Sequence, residues 1–147
     1  MTLFPARGSD PVFREGLFDG QVALVSGGGS GLGRAIAVQM ASLGAHVAIC
    51  GRRIERLDET ADMIRKAGGV ATTHAMSIRD PDAVAQLITD VVAAHGRIDH
   101  LINNAGGQFP QAAIDYSVKG WNAVIDTNLN GSWYMMQAVA RHWRDQA

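Results

Sequence analysis

The sequence is poor in cysteine and aromatic residues and contains no long apolar run. Its 147 residues include one cysteine, Cys50, and 6% aromatic residues. A single cysteine excludes an intramolecular disulfide, and its place in an apolar run predicts a buried, reduced thiol. No stretch approaches the ~20 apolar residues that cross a membrane, and the amino-terminal residues lack the apolar core of a secretory signal. We therefore predict a cytoplasmic protein without a membrane partner.

Neither positive nor negative charge predominates in the sequence. The formal net charge is −1, and the basic residues are scattered along the chain rather than grouped. Nucleic-acid binding requires a basic patch or stripe, which this pattern does not provide. We predict no nucleic-acid partner and no metal site.

Glycine, in contrast, is abundant and clustered. An apolar strand pattern, Val22–Val25, runs into Gly27, Gly31 and Gly33, which are spaced Gly-x-x-x-Gly-x-Gly and precede an amphipathic helical pattern. The first turn of such a helix presents free N–H groups and a positive dipole end, and glycine lets a pyrophosphate approach the backbone. The pattern predicts a dinucleotide site; a plain glycine turn is the alternative reading of this cluster alone.

Two motifs together resemble a known family. Ser26-Gly27 with Gly31-Leu32-Gly33 resembles the cofactor signature of the short-chain dehydrogenase/reductase family, and Asn103-Asn-Ala-Gly106 resembles its second signature. Strand patterns alternate with helical patterns, which predicts an α/β fold with a parallel sheet. The resemblance implies a Rossmann-type, doubly wound sheet with strand order 3-2-1-4, truncated after the helix that follows strand 4.

The same resemblance divides the chain into two parts. Residues 1–20 contain interspersed prolines, glycines and charges, which predicts an irregular amino-terminal arm. Residues 21–147 are then an NADP-binding Rossmann domain, the first half of a short-chain dehydrogenase/reductase.

The end of the second predicted strand bears on the choice of cofactor. Arg52 and Arg53 stand there, where an acidic residue would bind the ribose of NAD. Guanidinium groups can bind the 2′-phosphate of NADP bidentately, so we predict that NADP(H) is preferred over NAD(H). The alternative is that both arginines complement Glu55, Asp58 and Glu59 on a solvated helix.

The resemblance carries over a set of cofactor-binding residues. They are Ser26, Gly27, Gly29, Ser30, Gly31, Leu32, Gly33, Arg52, Arg53, Ser77, Ile78, Asn104, Ala105 and Gly106. Ser77 stands where the family usually has an aspartate that holds the adenine amino group. Because serine brings no charge, recognition of adenine by backbone groups is the open alternative.

One residue of the last helical pattern receives a catalytic assignment. The pattern begins near Ser117, and Asn128 shares its apolar stripe, which consists of Trp121, Val124, Ile125, Leu129, Met136 and Val139. We therefore expect Asn128 to be buried, where a satisfied core amide is the ordinary role. Asn128-Leu-Asn-Gly131 resembles the family segment whose asparagine bonds a backbone carbonyl and supports the proton relay, which implies a supporting catalytic role.

Within the family, four segments resemble the enoyl-CoA and 2,4-dienoyl-CoA reductases. They are Val12–Phe18, Gly51–Leu57, Asn103–Phe109, and Lys119–Trp121 together with Asn128–Gly131. The resemblance implies NADPH-dependent reduction of an enoyl-CoA thioester by a homo-oligomer, with Gln108 and Phe109 in a substrate loop. A ketoreductase or alcohol dehydrogenase of the same family, and a noncatalytic dinucleotide-binding fragment, are the alternatives.

The family's catalytic tyrosine and lysine are missing from this sequence. They are expected four residues apart on a helix, where the ammonium lowers the pKa of the phenol. Tyr116 and Lys119 are only three residues apart and precede Asn128, so we do not assign them the role. We expect the 147 residues to be the first half of a longer enzyme and to be inactive alone.

Overall fold

The computed structural model describes residues 12–146, in which strands and helices alternate. The elements are β1 (Val22–Ser26), α1 (Gly31–Ser42), β2 (His46–Gly51), α2 (Ile54–Lys66), β3 (Val70–Ala75), α3 (Pro81–His95), β4 (His100–Ile102), a 3₁₀ turn (Ala113–Asp115), α4 (Val118–Ile125), a π-helical segment (Asp126–Gly131) and α5 (Ser132–Gln146). Each of the first three strands is followed by a helix, as the alternating pattern predicts.

The four strands form one parallel sheet in the order β3-β2-β1-β4, which confirms the predicted order. Val25 of β1 is in register with Ile49 of β2 on one side and with Ile102 of β4 on the other. From β1 the chain builds β2 and β3 on one side and then returns to form β4 on the other side. The loops that follow β1 and β4 therefore diverge at the carboxyl ends of these two strands. Such a switch point opens a crevice in doubly wound sheets.

Apolar residues cover both faces of the sheet. One face carries Ala37 and Leu57 from α1 and α2, and the other carries Leu87 and Met135 from α3 and α5. All five residues of β1 are buried, as is typical of a parallel strand with helices on both sides.

The single cysteine lies in this core. Cys50 is fully buried, and burial raises the pKa of its thiol to about 12, against the weaker opposing effect of a hydrogen bond to the Gly27 backbone. The thiol is protonated at neutral pH, which agrees with the prediction of a buried, reduced side chain.

Residue type alone predicts Asp80 as the cap of α3 and Gly44 and Gly96 as helix ends, and the structure confirms all three. The Asp80 side chain caps α3 by accepting hydrogen bonds from the N–H groups of Asp82 and Ala83. Gly44 and Gly96 follow α1 and α3 with φ angles of +98° and +81°, which glycine adopts readily.

The prediction of one continuous helix after Ser117 is wrong. The π-helical segment interrupts it, and the side chains of Trp121, Leu129 and Met136 are 59%, 60% and 47% exposed. Val139 of the predicted stripe is buried, but beside it Met135 is buried in place of Met136. The predicted stripe assumes 3.6 residues per turn throughout. In the π-helical segment the backbone hydrogen bonds join residues i and i+5, so residues beyond it, such as Met136, need not face the direction that the stripe predicts.

The segment from Ile98 to Ile102 predicts the fourth strand, but the strand is shorter than this segment. It begins at His100 rather than at Ile98, although Ile98 is buried. The Asp99 carboxylate accepts a hydrogen bond from the N–H of Val22 at 2.8 Å and pairs with Arg97. Asp99 thus joins the beginnings of β1 and β4 through its side chain.

Residues 12–20 precede the sheet as bends and turns. The N–H of Phe18 donates to the carbonyl of Leu43 at 2.8 Å, and the Phe18 ring lies edge-on to that of His100. Residues 1–11 of the predicted arm lie outside the described residues, so the boundary of the arm at residue 20 stays a prediction. No helix within residues 12–146 is long and apolar enough to cross a membrane.

Three histidines cluster on β2, β3 and α3. The hydroxyl of Thr72 lies 3.1 Å from Nε2 of His74 and 2.9 Å from Nε2 of His95, and the ring of His46 lies 5.9 Å from that of His95. Partial burial lowers the pKa of His74, opposed by the charge of Asp90. Partial burial also lowers the pKa of His95, together with the charges of the other two histidines.

This cluster should make the chain less stable in mild acid. Folding lowers both pKa values from the ordinary 6.5, so the unfolded chain binds more protons as the pH falls through that value. The free energy of unfolding, measured by urea titration, should therefore fall between about pH 7 and pH 5. In the double variant His74→Gln/His95→Gln the free energy of unfolding should fall less over this pH range than in the unmutated chain. The control variant His142→Gln changes a residue outside the cluster and should show the same fall as the unmutated chain. An unmutated chain equally stable at both pH values would contradict this.

Candidate functional site

A crevice of about 280 Å³ opens at the carboxyl ends of β1 and β4. Every predicted cofactor residue except Ser26 and Gly31 lines it. The prediction missed six further lining residues, which are Gly51, Arg56, Leu57, Met76, Arg79 and Thr127. Most of them lie next to predicted residues in sequence, so extending each motif by a few positions would have found them.

The beginning of α1 faces this crevice without a side-chain cap. Ser30 occupies the cap position with extended backbone, yet its side chain accepts no hydrogen bond from the helix, and the first turn contains no acidic residue. In α3, by contrast, Asp80 caps the first N–H groups. The free N–H groups and the positive dipole end of α1 are therefore available to an anion.

Two glycines allow α1, its preceding loop and the loop after β4 to pack closely. A Cβ at Gly27 would lie 2.8 Å from Nδ2 of Asn104 and 3.0 Å from Cα of Ala105. A Cβ at Gly33 would overlap the carbonyl of Gly27 and the same Asn104 amide. These contacts show that both positions exclude a side chain.

Gly31 is not among the residues that line the crevice, and its contact with a pyrophosphate stays a prediction. It has a φ of +53°, and no atom lies within 4 Å of its hypothetical Cβ. Backbone conformation, rather than close contact, disfavours a side chain there.

Ser26 does not line the crevice either, and its side chain bonds within the protein. Its fully buried hydroxyl donates to the carbonyl of Ile102 at 3.3 Å and accepts from the N–H groups of Asn104 and Ala105 at 3.1 and 3.0 Å. The Asn104 amide donates back to the Ser26 carbonyl at 2.9 Å. Ser26 therefore joins the ends of β1 and β4 and positions the crevice wall.

The end of β2 places two arginines on the crevice wall. Arg52 and Arg53 are exposed, and no ion pair involves either of them within the described part of the chain. Asp58 accepts a hydrogen bond from Thr73, and Glu59 pairs with other arginines. The predicted alternative, pairing with the acidic residues of α2, is therefore absent from these contacts.

Ser77 and Ile78 form the opposite side of the crevice. The Ser77 hydroxyl accepts a hydrogen bond from the N–H of Arg79 at 3.3 Å, and buried Ile78 packs against Gly131. Arg79 in turn pairs with Asp126 of the π-helical segment at 3.3 Å. This ion pair links the loop after β3 to the chain beyond α4.

Asn128 is exposed, so the prediction that it is buried is wrong. The π-helical segment carries it off the packed stripe toward the loop after β4. There Nδ2 donates to the carbonyl of Gly107 at 2.8 Å, and Oδ1 accepts from the Gly107 N–H at 3.0 Å. The side chain thus bonds both backbone groups of Gly107, which belong to two successive peptides of that loop.

Gln108 and Phe109 do not line the crevice. The Phe109 ring contacts Tyr116 edge-on, with centroids 5.9 Å apart, and Tyr116 contacts Trp121 in the same way at 6.4 Å. Phe109 also lies against Gly120, where a Cβ would be only 2.8 Å from the ring. The contacts among the rings of Phe109, Tyr116 and Trp121 hold the loop beside the crevice. The ring of Tyr116 therefore packs within this aromatic cluster.

The Ser26→Ala variant tests how the two strand ends are joined. It removes the acceptor of two partly buried N–H groups, so the free energy of unfolding should fall by about 1–2 kcal/mol in urea titration. Ser42→Ala is the matched control, because the exposed Ser42 hydroxyl bonds only within α1 and its loss should change little. Equal effects of the two substitutions would contradict this role of Ser26.

Comparison with known proteins assigns this fold and crevice to a family. The model of a family described as short chain dehydrogenase matches residues 21–147. A probable 2,4-dienoyl-CoA reductase from Bacillus subtilis (strain 168) is 42% identical over 126 residues, which cover 86% of this chain and 50% of that protein. The chain spans about half the length of the curated relatives it matches.

Solved structures agree with this assignment. A citronellol catabolism dehydrogenase from Pseudomonas aeruginosa PAO1 is 44% identical, with a TM-score of 0.86 over 91% of this chain and 55% of that one. A metagenomic short-chain oxidoreductase in complex with NADP is 41% identical, with a TM-score of 0.80 over 84% of this chain and 57% of that one. The chain therefore belongs to the short-chain dehydrogenase/reductase family of oxidoreductases.

Proposed function

We propose that this chain forms the NADP(H)-binding part of an oxidoreductase that reduces an enoyl-CoA thioester. The observation that carries the cofactor assignment is the combination of an open helix N-terminus with two arginines on one crevice wall. The substrate class rests on similarity to a protein named as a probable 2,4-dienoyl-CoA reductase.

The crevice residues fit a phosphorylated dinucleotide. The uncapped start of α1 suits the pyrophosphate, and Arg52 and Arg53 supply the positive charge that a 2′-phosphate needs. Ser77 and Ile78 would hold the adenine, with the hydroxyl of Ser77 contributing polarity but no charge. Asn104, Ala105 and Gly106 would lie beside the nicotinamide and its ribose.

Bound NADPH would supply the hydride, which in the proposed reaction goes to the β-carbon of the enoyl thioester. This chain's residues would bind and orient the cofactor and would exclude water from it. Asn128 would have a supporting part, because its side chain holds the backbone of Gly107, next to Gly106 at the end of the crevice proposed for the nicotinamide. Gln108 and Phe109 belong to the loop that would border the substrate. Phe109 stabilises this loop by contacting Gly120.

Carbonyl reduction is the second candidate, since a relative named as a dehydrogenase is 44% identical to this chain. Both reactions would use the same cofactor crevice. The third candidate is a noncatalytic dinucleotide-binding role. We also propose that the complete enzyme is a cytoplasmic homo-oligomer.

The two arginines should give the chain a measurable cofactor preference. NADPH should bind at least about tenfold more tightly than NADH, a difference of ~1.4 kcal/mol, because charge-assisted bonds to phosphate are strong. Arg52→Asp should abolish the preference in fluorescence titrations, whereas Arg144→Asp, an exposed charge reversal outside the crevice, should not. Equal affinities for both cofactors in the unmutated chain would refute the assignment.

The 147-residue chain should bind NADPH without reducing a substrate, because its sequence contains no tyrosine followed four residues later by lysine. A longer form that includes the region the relatives have in addition should oxidise NADPH with crotonyl-CoA faster than with a ketoacyl-CoA. The reverse order would favour carbonyl reduction, and no turnover by the longer form would favour the binding role. Turnover by the 147-residue chain that Tyr116→Phe abolishes would contradict its expected inactivity and would assign Tyr116 the catalytic role.

A further inference from the structure

One arginine of α1 connects the glycine loop of the crevice to α2. The Arg34 guanidinium donates from Nη2 to the carbonyl of Gly29 at 2.7 Å and to the carboxylate of Glu59 at 2.8 Å. Its Nε donates to the hydroxyl of Thr60 at 2.9 Å. Arg34 does not line the crevice, although Gly29 does.

The partners of Arg34 fix the direction of its guanidinium. Thr60 is fully buried, and its hydroxyl also donates to the Arg56 carbonyl at 3.1 Å, so it cannot move freely. Hydrogen bonds from Arg34 and then from Arg56 lower the pKa of Glu59, which keeps the carboxylate charged. A planar guanidinium suits such a set of acceptors, because its donors are held in a rigid fork.

The hydrogen bond to Gly29 orients a peptide at the crevice. The Gly29 carbonyl and the Ser30 N–H belong to one planar trans peptide, so they point in opposite directions. Holding the carbonyl toward α2 therefore turns the Ser30 N–H away from α2. The carbonyl of Gly27 is held separately, by the Asn104 amide at 3.3 Å.

We propose that Arg34 is a positioning residue that sets the conformation of the Gly27–Ser30 loop for the pyrophosphate of a dinucleotide. This role rests on the proposed function, since it assumes that the crevice binds NADP(H). Arg34 acts through its hydrogen bond to Gly29 and not through direct contact with the ligand, and its guanidinium is paired with Glu59.

Binding of two ligands to the 147-residue chain separates positioning from general loosening. NADPH carries the pyrophosphate, whereas adenosine 2′-monophosphate carries only the adenosine and the 2′-phosphate. Arg34→Ala should raise the Kd of NADPH about tenfold, the cost of one hydrogen bond to a charged donor, and that of the monophosphate less than about twofold. Arg34→Lys keeps the charge without the fork and should give an intermediate loss for NADPH alone.

Arg65→Ala is the matched control. Arg65 also donates to a backbone carbonyl, that of Ala71 at 2.8 Å, and pairs with Asp62, but it lies away from the crevice. Its removal should leave both dissociation constants unchanged. Equal losses for the two ligands in the Arg34 variants, or no loss for NADPH, would overturn the proposal.

Amide hydrogen exchange provides a readout that needs no cofactor. In Arg34→Ala or Arg34→Lys, exchange in the Gly27–Leu32 segment should be faster than in the unmutated chain, and Arg65→Ala should not change it. Unchanged exchange in both Arg34 variants would overturn the positioning role even if NADPH binds. Failure of the unmutated chain to bind NADPH would refute the proposed function, and the exchange data would still test how Arg34 holds the loop.

Discussion

Parallel pairing of β1 with β2 on one side and β4 on the other is the constraint on which the crevice depends. It brings the loops that follow these strands to one edge of the sheet. Hydrogen bonds of Ser26 and Asn104 then join the ends of β1 and β4, so that the loop at residues 104–106 lies against the glycine loop. The local geometry of the site follows from a buried strand and two polar side chains.

Arginines around the crevice divide into two kinds according to their partners. Arg34 pairs with Glu59 of α2 and Arg79 pairs with Asp126, so these two side chains hold elements together. Arg56 pairs with Glu59 within α2. Arg52 and Arg53 form no ion pair within residues 12–146 and remain available to a ligand. The same residue type thus serves structure in one place and, in our proposal, phosphate recognition in another.

Features encoded by local chemistry could be predicted from the sequence. Strand order followed from family resemblance, and the Asp80 cap and the Gly96 helix end followed from single residue types. The exposure of Asn128 could not, because a π-helical segment shifts the stripe without a distinctive composition. The role of Arg34 could not either, since its partner Glu59 is 25 residues away and is found only once α1 and α2 pack.

The central claim is that NADP(H) binds with its pyrophosphate at the start of α1 and its 2′-phosphate at the end of β2. Titration of the isotopically labelled chain with NADP⁺, followed by backbone amide NMR, tests this most directly. The account predicts saturable shifts confined mainly to residues 27–33, 51–53, 77–78 and 104–107. Shifts confined to the opposite end of the sheet, around residues 96–99, or no saturable shifts at all, would contradict it.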